Sequence, residues 1–161
     1  MTRKLTTLAF VAIVFAALSN GRPSVALASG TGGCTQASIA GSFGFSYNGV
    51  GILPTGPVPI AALGRFHLDS AGNVSGSETN SLAGVAAFQT VTGTIAVHSD
   101  CSALLVANVY QGGQLVRMSV VRLQYENNAN DVQGIFTKVT LPDNSTLPVV
   151  ITITGKRTSD S

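Results

Sequence analysis

Charge is scarce in this chain. Asp, Glu, Lys and Arg make up 10% of its 161 residues, against roughly 25% in ordinary globular domains. Tryptophan is absent and aromatics reach only 6%, which argues against the aromatic girdles of a transmembrane barrel. The two histidines, His67 and His98, and the two cysteines, Cys34 and Cys101, are too few and too scattered for a metal cluster. No metal site is expected. G-x-S-x-G, H-E-x-x-H, P-loop and G-x-G-x-x-G motifs are missing after residue 28. No catalytic residue and no cofactor is therefore expected. Helical periodicity is missing there too, which excludes helix bundles and alternating α/β folds.

Long apolar runs are confined to the start. Met1-Thr2-Arg3-Lys4 is basic, residues 5–18 are apolar apart from Thr6 and Thr7, Gly21 and Pro23 break the run, and Ala26-Leu27-Ala28 follows. That order predicts a secretory signal peptide over residues 1–28, cleaved after Ala28. The run is shorter than the ~20 residues a bilayer-spanning helix needs, so no membrane span is expected after cleavage. Removal takes Arg3, Lys4 and Arg22, leaving six bases against seven acids. A near-neutral remainder offers no electrostatic attraction for nucleic acid. The expected location is secreted or periplasmic. In such an oxidising compartment Cys34 and Cys101 are expected to form a disulfide. A lipid anchor on Cys34 is disfavoured, because Thr31-Gly32-Gly33 precede it with no leucine three positions upstream.

What is present is a rhythm of short β-type runs and turn clusters. Residues 29–40 read as an irregular lead-in, 41–157 as one β domain, and 158–161 as a polar tail. Residues 42–49 alternate, with Phe43, Phe45 and Tyr47 on one face. Residues 50–59 hold three prolines and two glycines and read as a loop. Further strands are predicted over 60–69, 74–81, 86–98, 102–110, 115–125, 132–141 and 147–156. The connections carry turn chemistry: Asp69 to Asn73, Gln111-Gly112-Gly113-Gln114, and Pro142 to Ser145. Eight short-linked strands predict an antiparallel up-and-down barrel, since closure removes both sheet edges. A two-sheet sandwich is the rival. In the barrel, the disulfide would tie the lead-in to the connection between the fourth and fifth strands. In the sixth strand both alternating sets are largely apolar, and a bulge near Val120-Val121 would turn both inward.

Three separated segments carry a resemblance. They are Ala40-Gly41-Ser42-Phe43-Gly44-Phe45, Gly64-Arg65-Phe66-His67-Leu68-Asp69-Ser70-Ala71-Gly72-Asn73-Val74-Ser75-Gly76, and Thr92-Gly93-Thr94-Ile95-Ala96-Val97-His98-Ser99-Asp100-Cys101. In this order the chain resembles small exported bacterial β-barrel proteins of the lipocalin-like and allene-oxide-cyclase-like group, over about residues 34–156. The resemblance implies a barrel fold and makes the glycosylation tripeptides at Asn73 and Asn144 irrelevant. It rests on turn glycines and apolar strand positions, which shape a barrel rather than perform chemistry.

The candidate ligand-binding residues are Phe45, Tyr47, Phe66, Glu78, Tyr110, Arg117 and Tyr125. The tyrosines pair a flat apolar ring with a hydroxyl. Glu78 and Arg117 are mid-strand charges that either face water or sit paired inside the barrel. Phe43, Phe88 and Phe136 read as core. His67 has Asp69 nearby, but at a turn and with no nucleophile. Three functions remain open: a module binding a small, mostly apolar ligand; a filled structural or surface barrel; and a cofactor-free isomerase or cyclase steered by Glu78 and Arg117.

Overall fold

The computed structural model describes residues 33–159. The expected signal peptide lies outside the described residues, as do the first part of the lead-in and the end of the tail. Eight strands follow one another in sequence: β1 (Gly41–Leu53), β2 (Gly56–Leu68), β3 (Asn73–Leu82), β4 (Val85–Val97), β5 (Ser102–Gln111), β6 (Gln114–Glu126), β7 (Asp131–Thr140) and β8 (Val149–Arg157). Each pairs antiparallel with the next, and β8 returns to β1, so the sheet is a closed up-and-down barrel. The sandwich is excluded. Tyr47 shows the closure locally, lying opposite Ala62 on β2 and Ile153 on β8.

Period-two alternation decides which residues fill the barrel. Phe43 and Tyr47, Leu68 and Val74, Val91 and Ile95, Leu105 and Val109, Val121 and Leu123, and Ile151 and Ile153 are all buried. Between them, inward-facing glycines let strands bend toward one another. Gly64 and Gly76 are reciprocal: a Cβ on Gly64 would strike the Ser77 carbonyl, and one on Gly76 the Arg65 carbonyl. Glycine at such corners lets a sheet coil tightly enough to close. The β5–β6 connection bears out the two-glycine signal, with Gly112 and Gly113 both at positive φ, as a hairpin turn of that twist requires.

The expected loop over residues 50–59 is corrected. β1 continues to Leu53 and β2 begins at Gly56, with Val50 opposite Pro59 and Ile52 opposite Pro57. Pairing of β2 with β3 begins only at Ile60. Pro59 turns its carbonyl toward that side, where it accepts from Ala83 N. Its missing N–H faces the same flank, just past the end of the β2–β3 ladder, where proline costs no ladder bond. The irregular lead-in is corrected as well. Gln36–Ile39 form one helical turn, α1, held by a capping box between Thr35 and Ser38. Four residues are too few to display a helical period.

The bulge in the sixth strand is partly corrected. The β6–β7 register does shift between Val120 and Val121. The extra residue, however, is Thr137 on β7, which brings Phe136 and Val139 both inward. From Arg117 to Tyr125 β6 alternates regularly, so Arg122 points outward. A second shift, between Val109 and Tyr110, leaves Val116 as the extra residue of β6. Phe88 is corrected outright. It is 65% exposed, because Gln89 shares the inward phase of Val91 and Ile95.

The two ends of the barrel differ. At one end α1 inserts Ile39, which is fully buried. Gln36 clips α1 to β4, donating to Ile95 O at 2.6 Å and accepting from Val97 N at 3.1 Å. Cys34 and Cys101 form a disulfide there, joining the lead-in to the β4–β5 turn, as expected. Arg157 completes the seal. Its guanidinium donates to the Ser38, Ala40 and Ala129 carbonyls. The opposite end, with the Gly112-Gly113 turn and the 141–148 connection, has no comparable plug among the described residues.

Candidate functional site

Four strands aim polar side chains at one level inside the barrel. β1 supplies Tyr47, β3 Glu78 and Asn80, β4 Gln89, and β6 Arg117. Each occupies an inward phase also used by apolar core residues, so strand alternation alone carries these groups inside. Glu78 is 4%, Asn80 7% and Gln89 5% exposed.

The groups bond to one another. Arg117 Nη2 lies 2.5 Å from Glu78 Oε1 and donates to the Tyr47 hydroxyl at 2.8 Å. The Tyr47 hydroxyl donates to Glu78 Oε1 at 3.0 Å and accepts from Asn80 Nδ2 at 3.0 Å. Arg117 Nη1 donates to Gln89 Oε1 at 2.9 Å, and Gln89 Nε2 donates onward to Gln111 Oε1 at 3.3 Å. Buried charges persist when paired and hydrogen-bonded in this way. Burial of the phenol pushes the Tyr47 pKa up from 10.0 to about 12, despite the opposing pull of Arg117.

This layer separates two spaces. Toward the open end lies a cavity of about 250 Å³, bounded by Asn80, Gln89, Gln111, Phe136, Val139 and Val149 among others. Toward the sealed end lies a chamber of about 50 Å³, bounded by Phe45, Phe66, Val91, Leu105 and Ser119 among others. Tyr47, Arg117 and Phe136 touch both. The Ser119 hydroxyl in the lower chamber is buried with no hydrogen-bond partner among the described residues.

The structure thus brings Phe45, Tyr47, Phe66, Glu78 and Arg117 together along one interior. Phe45 stacks on Tyr47 at 6.3 Å, and Phe66 lies 5.8 Å from Phe45. Tyr125 is inside but apart, packed edge-on against Phe43 at 5.9 Å near the sealed end. Its hydroxyl has no partner among the described residues, and burial raises its pKa. Tyr110 is half-buried in the outward phase of β5 and lines neither space. His67 and His98 are exposed. Asp69 spends its carboxylate on Ala71 N and Asn73 N in its own turn rather than on His67. No group of three or more candidate metal ligands occurs among the described residues.

Sequence reasoning missed Asn80, Gln89 and Gln111. A signal existed, because Asn80 follows Glu78 by one inward step and Gln89 precedes Val91 by one. Uncharged amides are equally at home on a strand's outer face, so their phase had to be tied to apolar neighbours to be read.

No family model matches the chain, and no curated protein matches it. Among solved structures, the chain is similar to a redesigned β barrel, mFAP1, bound to DFHBI. The identity is 13%, the TM-score is 0.49, and the match covers 76% of this chain and 100% of that one.

Proposed function

We propose that this protein is an exported, non-catalytic barrel that holds one small, mostly apolar molecule in its open-ended cavity. The observation that carries this reading is the cavity of about 250 Å³ set above a hydrogen-bonded polar floor. A concave apolar wall with a few convergent polar groups is the usual make-up of a small-molecule site. Phe136, Val139, Leu147, Val149 and Ile151 supply the apolar part, and Tyr47 and Arg117 supply the floor. The space lies below the ~300–1,000 Å³ of drug-sized pockets, so the occupant is compact.

Export rests on residues 1–28 acting as a signal peptide, with residues 41–157 as the working domain. The Cys34–Cys101 disulfide suggests an oxidising extracellular or periplasmic setting. The non-catalytic reading draws on the mutual engagement of the charged groups. Glu78 Oε1 and the Tyr47 hydroxyl are engaged with each other and with Arg117, which leaves the pair poorly placed to take a substrate proton.

Native mass spectrometry of protein purified from its export compartment tests the reading, alongside titration with compact lipophilic fluorophores. A mass lost on denaturation, or saturable binding that needs the folded barrel, is the expected outcome. A bare polypeptide mass together with no saturable binding would leave a filled structural barrel in its place.

A further inference from the structure

The upper cavity has two unlike walls. One side is apolar, formed by Val139, Leu147, Val149 and Ile151. The other presents three primary amides from three successive strands, Asn80 on β3, Gln89 on β4 and Gln111 on β5. Arg117 is the one charged residue among those that line this cavity, and it is already spoken for. Its Nη2 is held by Glu78 and Tyr47, and its Nη1 by Gln89. The Arg117–Glu78 pair cancels at the floor, so the site offers no free cation.

That arrangement selects by charge. An anionic head group leaving water needs a compensating cation, because burying an unpaired carboxylate is strongly unfavourable. Here the one cation that lines the cavity, Arg117, is already neutralised by Glu78, which sits behind it against the lower chamber. A hydroxyl or carbonyl group meets no such penalty. Asn80 Oδ1 and Gln111 Nε2 take no hydrogen-bond partner among the described residues, and a primary amide offers one acceptor and one donor function in either orientation.

Building on the binding function proposed above, we infer that the ligand is an uncharged, compact apolar molecule with a hydroxyl or carbonyl along one edge, and that Glu78 is the residue that excludes carboxylates. Glu78 acts here by neutralising Arg117, so it sets specificity through charge rather than by shape. Its replacement with glutamine keeps the size and an acceptor oxygen and frees the positive charge of Arg117.

The test is a matched pair of fluorescent probes, a naphthol and the corresponding naphthoate, titrated at neutral pH into the full chain. The wild-type protein is expected to bind the naphthol saturably and the naphthoate at least about tenfold more weakly. Glu78→Gln is expected to reverse the order, and the naphthoate should raise its melting temperature. Equal or tighter wild-type binding of the naphthoate would overturn the charge selection while leaving the barrel a binding protein. An unchanged preference in Glu78→Gln would also overturn it. Saturation by neither probe would count against both the selection and the binding function beneath it. The wild-type comparison decides by itself if Glu78→Gln does not fold.

Discussion

The guanidinium of Arg157 lies 4.9 Å above the ring of Phe43, joining the last strand to the first at the sealed end. The same group donates to carbonyls of α1 and of the β6–β7 turn. A planar, forked donor can serve all of these at once, whereas an ammonium cannot. Arg157→Lys should therefore destabilise the barrel by about 1–3 kcal/mol. Urea denaturation checks this as a lower midpoint with an unchanged slope, and an unchanged midpoint would dismiss the clasp.

Arg117 and Glu78 should behave as a coupled pair. Arg117→Met leaves Glu78 buried without its cation, which costs about 3–5 kcal/mol for a pair of this kind. Replacing both, as Arg117→Met with Glu78→Leu, should recover most of that loss. A double-mutant cycle read by thermal melting measures the coupling. Additive losses would mean that the two charges are independent.

The disulfide closes a span of 67 residues. On the chain-entropy estimate a loop of that length contributes roughly 4 kcal/mol. Cys34→Ala should lower the melting temperature by several degrees or more, and thiol titration of the unfolded, unreduced wild-type chain should find no free thiol. A free thiol with an unchanged melting point would refute the bond.

Alkaline pH should weaken the fold through Tyr47. Its pKa is raised from 10.0 to about 12 in the folded state. The associated stability is complete below the ordinary value and is lost as pH rises through the folded one. Tyr47→Phe should therefore flatten the loss of stability between these limits. The difference in absorbance between wild type and Tyr47→Phe should show no phenolate from Tyr47 at pH ~10, and a Tyr47 phenolate already present there would overturn the prediction.

Acid pH works through the turns. Asp69, Asp100 and Asp143 are held below the usual carboxylate value, mainly by hydrogen bonds from Asn73, Ser102 and Ser145 respectively. Their contributions are present above pH 3.8 and vanish as pH falls through the lowered values. Asp69→Asn should make melting temperature less sensitive to pH in that window. An unaltered pH profile would remove Asp69 from this role.

Strand faces were readable wherever apolar residues kept a two-residue phase, as in Phe43, Phe45 and Tyr47. The turns at Asp69 to Asn73 and Gly112-Gly113 were equally plain. Residues 50–59 misled because proline forbids only one flank of a strand, and nothing local tells which flank lacks a partner. Phe88 misleads because its aromatic ring suggests core while its phase, out of step with Gln89 and Val91, faces outward. Glu78 and Arg117 could be singled out as mid-strand charges. Their contact joins strands β3 and β6, across the interior, and that adjacency exists only once the sheet has closed.

Thr158 N bonds to Ser42 O, and Cys34 N to Ser99 O, so both described ends of the chain emerge at the plugged pole. Both points of attachment therefore lie behind the barrel, away from the mouth. A linker, a fusion partner or a solid support joined directly at residue 33 or residue 159 leaves the mouth pointing outward, and the barrel can be displayed from either of these positions in the same orientation.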